Sequence, residues 1–227
     1  MEINTALVLC AGYGKRLNPV TLKKPKPLIE IDETTLLQNT LNLITSLGVK
    51  NILINSFYLS EQIDNYVKNL NLNLKVIKDG EKILDTGGGI LNLIDNSKQN
   101  DFLVFNPDTI WNESYITEIQ NMEKFYFDNN VKNILLVVER SKSIDQRMNG
   151  DFFLKNNILS KSFDNNFIFT GCQILNRNIF ENYKVETFSI NKIWEEMILK
   201  NKLYGYKSER IFTHLTDIEI YKKLIKT

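Results

Sequence analysis

Apolar positions along the chain follow two alternating rhythms. Short β-branched or apolar bursts read as strands: "TALVLC" at 5–10, "NILINS" at 51–56, "LNLKVIKD" at 72–79, "DFLVFNPD" at 101–108 and "NILLVVER" at 133–140. Between them, apolar residues three and four apart mark helices: "LLQNTLNLITSLG" at 36–48, "SEQIDNYVKNL" at 60–70, a glycine-rich helix entry at 86–94 and a polar helix near 113–125. Strands separated by helix-length crossovers predict an α/β fold with a Rossmann-like, doubly wound, mostly parallel sheet. In such sheets ligands bind outside the carboxyl ends of the strands.

After about residue 148 the rhythm changes. "GDFFLKNNILSKSF" alternates around an Asn-Asn pair like a hairpin, and "NFIFTGCQIL" at 166–175 reads as a long strand. "SINKIWEEMILKN" puts Ile190, Ile193, Trp194, Met197 and Ile198 on one helical face, with Ser189 as the cap ahead of it. This part reads as smaller and α+β. No repeat, linker or charge block divides the chain, so one domain over 1–227 is expected.

Composition narrows the function classes. With 227 residues, 43% of them apolar and 24% charged, the chain holds enough material for one sizeable core. The 28 Lys and Arg against 27 Asp and Glu give a net charge of +1, which lacks the one-sided field that attracts nucleic acid. No secretory leader pattern opens the chain, and no apolar run approaches the roughly 18 residues of a membrane span. A soluble, cytoplasmic protein is expected. Cys10 and Cys172 each sit in a strand-like run and read as buried free thiols. Nothing in the pattern assigns a state of self-association.

Candidate chemistry concentrates in "LVLCAGYGKRLNPVTLKKPKPLIEI" at 7–31, which holds two of the ten glycines and three of the four prolines. At the exit of the first strand, Gly12 and Gly14 let main-chain N–H groups approach an anion with no Cβ in the way. Arg16 adds a forked donor for phosphate oxygens, and Lys26 adds a point charge stiffened between Pro25 and Pro27. The bland alternative is a tight surface turn with solvated lysines. Leu17 stands where a dinucleotide fingerprint needs its third glycine, and the P-loop spacing is absent.

"AGYGKRLNPVTLKKPKPL" resembles the signature of sugar-1-phosphate nucleotidyltransferases, Gly-x-Gly-x-Arg followed by Pro-Lys-Pro-Leu. "LDTGGGI" at 84–90, "NPDTIW" at 106–111, "GDFFL" at 150–154, "FTGCQIL" at 169–175 and "LYGY" at 203–206 extend the resemblance over nearly the whole chain. They are similar to one branch, the N-acetylmuramate-1-phosphate uridylyltransferase-like enzymes, which lies close to the mannose-1-phosphate guanylyltransferases. The resemblance implies a nucleotide-binding half over about 1–110 and a sugar-phosphate-binding half over about 111–227. It implies nucleotide binding by Ala11, Gly12 and Gly14, and a grip on the reacting phosphates by Arg16 and Lys26.

Asp108, at the carboxyl end of "FLVFN", can project a carboxylate toward a phosphate-bound Mg²⁺, although Asp after a strand is equally a turn or capping residue. Thr86, Gly87 and Gly88 offer open backbone to a nucleobase, or else form a flexible connection; the resemblance implies base recognition. It further implies sugar contacts at Gly150, Asp151 and Gly171. Trp194 reads as core, Glu195 and Glu196 as solvated, and Trp111 as either a wall of the site or packing.

The terminal segment departs from the family pattern. Many relatives carry Trp-x-Asp-Val-Gly-Thr-Pro, whose aspartate completes the metal site; here "FTHLTDIEIY" stands instead, with His214 at the aspartate position. His214 could ligate the metal, act through water or bind a phosphate, and Asp217 is the next substitute. The implied reaction joins a nucleoside triphosphate and a sugar 1-phosphate into a nucleotide sugar and pyrophosphate. UTP with N-acetylmuramate 1-phosphate is the first choice; guanylyl transfer to mannose 1-phosphate and a non-catalytic binding protein are the alternatives. The sequence closes at the helix "DIEIYKKLIK", so no appended β-helical acyltransferase domain is expected.

Overall fold

The computed structural model of the chain describes residues 1–225. Its strands are β1 (Thr5–Leu9), β2 (Glu30–Ile31), β3 (Thr34–Thr35), β4 (Asn51–Ser56), β5 (Leu74–Lys78), β6 (Asp101–Phe105), β7 (Asn133–Glu139), β8 (Phe153–Lys155), β9 (Ile158–Ser160), β10 (Phe167–Asn176) and β11 (Tyr204–Ser208). Its helices are α1 (Leu36–Ser46), α2 (Ser60–Val67), α3 (Asp85–Asp95), α4 (Ser114–Asp128), α5 (Asn191–Leu199) and α6 (Ile218–Leu224). The last residue of the helix expected to close the sequence, Lys226, lies outside the described residues.

Nine strands form one sheet in the order β5-β4-β1-β6-β10-β7-β11-β9-β8, and β2 pairs separately with β3. β5, β4, β1 and β6 run parallel, with Val8 opposite both Ile54 and Phe105. The strands expected from the second half join this same sheet: β10 inserts antiparallel between β6 and β7, and β11 returns parallel to β7.

Alternation along each strand feeds two cores. Ala6, Val8, Ile52, Ile54, Leu103, Phe105, Ile134 and Leu136 face the layer containing α1, α2 and α4. Leu7, Leu53, Phe102, Val104, Leu135 and Val137 face the layer containing α3 and α5. Both faces being covered explains why these strands read as continuous apolar runs. Each fully buried Leu, Ile or Val contributes roughly 1.5–3 kcal/mol. Ile190, Ile193 and Trp194 are buried on the expected face of α5, and Met197 and Ile198 pack beside them. The helix begins one residue later than its anticipated cap implied: Ile190 holds the N-cap position, and Ser189 Oγ accepts the Asn191 N–H at 3.3 Å.

The β8–β9 hairpin turns at Asn156 (φ 50°) and Asn157 (φ 60°), the paired left-handed conformation that a two-residue turn between twisted strands requires. Cys10 and Cys172 are buried free thiols. Among the described residues no helix is long and apolar enough to cross a membrane.

Topology fixes where a ligand can sit. From β1 the chain winds outward through β4 to β5, then returns to β6 on the other side of β1. The loops after β1 and β6 therefore diverge and leave a crevice at the carboxyl edge of the sheet.

Candidate functional site

Two adjoining cavities open in that crevice. The first, about 210 Å³, lies between the β1 exit (Leu9, Cys10, Ala11), the Asn106–Asp108 turn and the entry of α3 (Ile83, Asp85, Thr86). The second, about 300 Å³, is lined by Lys15, Arg16, Leu17 and Thr216. Gly12, Gly14, Lys26 and Asp108 border both.

The glycine loop is shaped from beneath. Gly14 has φ +63°, and a Cβ there would stand 2.9 Å from Thr21 Cγ2 and 3.1 Å from Lys26 Cβ, so both conformation and space require glycine. Thr21, fully buried, donates its hydroxyl to the Gly14 carbonyl at 3.0 Å, and the Tyr58 hydroxyl donates to the Thr21 carbonyl at 2.8 Å. Gly12 differs, because a Cβ on it would meet nothing within 4 Å and would point into open space. Arg16 is exposed and makes no ion pair among the described residues.

Lys26 Nζ lies 2.6 Å from Asp108 Oδ2, and His214 Nε2 lies 3.2 Å from the same oxygen. Burial by itself would raise the Asp108 carboxyl, but the Lys26 ammonium and His214 outweigh it and hold the group well below the usual carboxylate range. Its other oxygen, Oδ1, is buried with no hydrogen-bond partner. Asp108 is thus ionised, with Oδ2 bonded by Lys26 and close to His214, and Oδ1 without a hydrogen-bond partner among the described residues.

His214 reaches this point through backbone pairing: Ile110 N–H donates to the Thr213 carbonyl at 2.9 Å, and Leu215 N–H donates to the Asp108 carbonyl at 2.8 Å. Its ring stacks on Phe212 at 5.7 Å, and Nδ1 meets Thr216 Oγ at 3.1 Å. His214 thus stands beside the carboxylate, with Nε2 facing Asp108 Oδ2. Asp217 is elsewhere engaged. One of its oxygens caps α6 by accepting the Glu219 and Ile220 N–H groups, and the other pairs with Arg147 at 2.8 Å.

The donor set still fits a divalent cation. Among the described residues no cluster of three or more His, Cys, Asp or Glu could hold a metal by itself. Mg²⁺, however, keeps several waters and is commonly held by one or two carboxylates together with substrate phosphates. Asp108, which borders both cavities and has one oxygen without a hydrogen-bond partner among the described residues, meets that requirement.

At the α3 entry the structure corrects the expected base contacts. The N–H groups of Gly87 and Gly88 both donate to the Phe188 carbonyl, at 2.9 and 3.1 Å, so neither is free to read a base. A Cβ on Gly87 would stand 2.4 Å from the Phe188 ring, one on Gly88 1.9 Å from the Glu186 carbonyl oxygen, and one on Gly89 2.7 Å from Asn55 Nδ2. The three glycines thus admit the 186–190 segment and the Asn55 side chain. Thr86 lines the first cavity while its hydroxyl accepts the Ile190 N–H at 3.0 Å.

The anticipated sugar residues lie across β10. Gly171 has φ +91° where the pairing of β10 with β7 slips, and its carbonyl accepts the Asn106 N–H at 2.7 Å, tying β10 to the Asp108 turn. Asp151 Oδ2 accepts the Phe169 N–H at 2.9 Å; burial raises its carboxyl, against the pull of that N–H, Lys161 and His214. At Gly150 a Cβ would stand 2.1 Å from the Asn165 carbonyl oxygen, so this glycine serves loop packing. Trp111 is buried against Phe105 and Tyr115 and belongs to the core. Burial and the nearby Asp108 push the Cys10 thiol up, leaving it a neutral wall of the first cavity.

The sequence reading missed Asn55, Ile83, Asp85 and Asn106, all of which line the first cavity. Asn55 carried one usable signal, an amide following the apolar run Ile52–Ile54 at the carboxyl end of a strand.

Residues 5–145 match the family model described as "Nucleotidyl transferase". The chain is 23% identical over 221 residues to the N-acetylmuramate alpha-1-phosphate uridylyltransferase of Caulobacter vibrioides, covering 93% of this chain and 91% of that one. It is 26% identical over 210 residues to the mannose-1-phosphate guanylyltransferase catalytic subunit beta of Drosophila melanogaster, spanning 56% of that longer protein. Among solved structures, the inositol-1-phosphate CTP transferase from T. maritima superposes with a TM-score of 0.79 at 16% identity, covering 100% of this chain and 96% of that one. HddC from Yersinia pseudotuberculosis complexed with GMP-PN superposes with a TM-score of 0.77 at 21% identity, covering 99% of each. With the family model spanning more than half of its length, the chain belongs to the nucleotidyl transferase family, among the sugar-1-phosphate nucleotidyltransferases.

Proposed function

We propose that this protein transfers a nucleotidyl group from UTP to N-acetylmuramate 1-phosphate, releasing pyrophosphate. The observation that supports the transfer reaction is Asp108, which borders both cavities, pairs through Oδ2 with Lys26 beside His214, and keeps a buried Oδ1 without a hydrogen-bond partner among the described residues. The choice of base and sugar rests on the Caulobacter relative, which this chain matches nearly end to end.

Both substrates already contain nucleophile and leaving group, so the protein's work is alignment and neutralisation of charge. A phosphate oxygen of the sugar 1-phosphate attacks the α-phosphorus, and the bond to pyrophosphate breaks. Lys26, on the border of both cavities, leaves Asp108 for the α-phosphate and the sugar phosphate as they arrive. Arg16, exposed in the second cavity, clamps the β- and γ-phosphates with its planar fork. The glycine loop presents main-chain N–H groups to the same oxygens. Asp108 Oδ1 would hold Mg²⁺, which when bound neutralises charge on the triphosphate. His214 fixes the orientation of that carboxylate through its other oxygen. Asp151 accepts from sugar hydroxyls, and Gly171 lets β10 approach the Asp108 turn closely enough to close the sugar side.

Pyrophosphate release with Mg²⁺, across UTP, GTP, dTTP and CTP against N-acetylmuramate, mannose, glucose and N-acetylglucosamine 1-phosphates, tests this reading. We expect the fastest turnover with UTP and N-acetylmuramate 1-phosphate. Turnover confined to GTP and mannose 1-phosphate would replace the substrate assignment, and silence throughout would overturn the catalytic one.

A further inference from the structure

Behind the first cavity runs a chain of buried polar contacts that the transfer chemistry does not use. Cys10 N–H, at the exit of β1, donates to Asn55 Oδ1 at 2.8 Å. Asn55 Nδ2 donates to Asp79 Oδ1 at 3.1 Å, and Asp79 Oδ2 accepts the Leu84 N–H at 3.1 Å. Asn55 is 2% and Asp79 8% exposed, and among the described residues no cation pairs with Asp79. The relay therefore joins the ends of β1, β4 and β5 to the residue that precedes α3. Low dielectric strengthens such contacts and makes any unmatched member costly. Gly89 belongs to the arrangement, since its missing side chain leaves the space that Asn55 Nδ2 occupies.

We propose that Asn55 and Asp79 are positioning residues that fix the separation between the glycine loop and the cavity-lining entry of α3. The proposal rests on the nucleotide-transfer reading above. Cys10 leads directly into Ala11 and Gly12 on one wall of the cavity, and Leu84 into Asp85 and Thr86 on the other. A nucleotide seated in that cavity touches both walls at once. Misplacing one wall weakens nucleotide binding without touching the sugar phosphate.

The relay's polarity supplies its own test. Both partners of Asp79 are donors, so Asp79→Asn turns an amide donor against Asn55 Nδ2 or the Leu84 N–H. Asn55→Asp by itself sets one carboxylate against another. Together the two substitutions restore every contact: the new carboxylate accepts from Cys10 N–H and from the new amide, whose oxygen accepts from Leu84 N–H.

We expect each single substitution to weaken binding of MgUTP or MgGTP, whichever the wild type binds, by about tenfold or more. The double variant should recover to within about threefold of wild type, while the KM for the sugar 1-phosphate stays within about twofold throughout. A folded double variant that binds nucleotide no better than the weaker single overturns the relay alone. Wild-type protein that binds neither nucleotide overturns the functional reading and this proposal with it. Should a single variant not fold, amide exchange in the wild type decides: nucleotide should slow exchange at Cys10 and Leu84 together, and protection of Cys10 alone overturns the coupling.

Discussion

Replacing Asp108 by Asn keeps the shape of the side chain and removes its charge, so activity and stability can be followed separately. The amide oxygen can still accept from Lys26 or His214, but the 2.6 Å contact to Lys26 ceases to be an ion pair. Lys26 and Asp108 are only 14% and 20% exposed, so solvent screens the loss little. A hydrogen bond to a charged group is worth about 1.5–3 kcal/mol, and we expect a destabilisation of about 2 kcal/mol. For a chain of this size that lowers the melting temperature by about 4–8 °C. Catalysis should suffer more. Loss of one preorganised charge-stabilising group costs roughly 10²-fold to 10³-fold in turnover, or about 2.7–4 kcal/mol at the transition state. Thermal melts give the first quantity, and pyrophosphate release at saturating Mg²⁺ and substrates gives the second. A folded Asp108→Asn protein that turns over within threefold of wild type would refute the role assigned to this carboxylate.

The two glycines of the loop after β1 should separate in behaviour. Gly14→Ala forces a left-handed φ on a residue with a Cβ and a 2.9 Å contact with Thr21, so melts should show a loss of about 1–3 kcal/mol. Gly12→Ala places its methyl in open space, so the melting temperature should stay within about 1 °C while the nucleotide KM rises about tenfold or more. His214→Phe keeps a ring on Phe212 and removes the nitrogen that lies 3.2 Å from Asp108 Oδ2. We expect turnover to fall about tenfold and half-maximal activity to need more Mg²⁺, as titrations of pyrophosphate release against Mg²⁺ will report. Asp145, hydrogen-bonded by Arg147, is held at about 2 against an ordinary 3.8. Because the folded value is depressed, its stabilisation is present above pH 3.8 and is lost as pH falls through about 2. Arg147→Met should therefore melt lower than wild type at pH 7, with the difference closing between pH 4 and pH 2 in a melt series.

The alternating apolar runs were enough to establish the α/β sheet, its crossovers and the Asn156–Asn157 turn, because period and turn chemistry are local properties of the chain. The 7–31 loop was legible for the same reason: Gly12, Gly14, Arg16 and Lys26 are close in sequence, and the two prolines restrict how they can be arranged. Other features depend on partners far along the chain. Gly87 and Gly88 read as open backbone because nothing in their own segment shows that 186–190 packs onto them and takes their N–H groups. Asn55 and Asp79 are 24 positions apart and acquire meaning only when parallel pairing aligns the ends of β4 and β5. His214 lies 106 positions from Asp108, and backbone pairing at Ile110 and Leu215 decides that its ring faces the carboxylate while Asp217 turns away to cap α6. Local sequence thus determined the elements and the glycine loop after β1, whereas long-range strand order, which no local period encodes, decided which side chains share a cavity and which donors remain free.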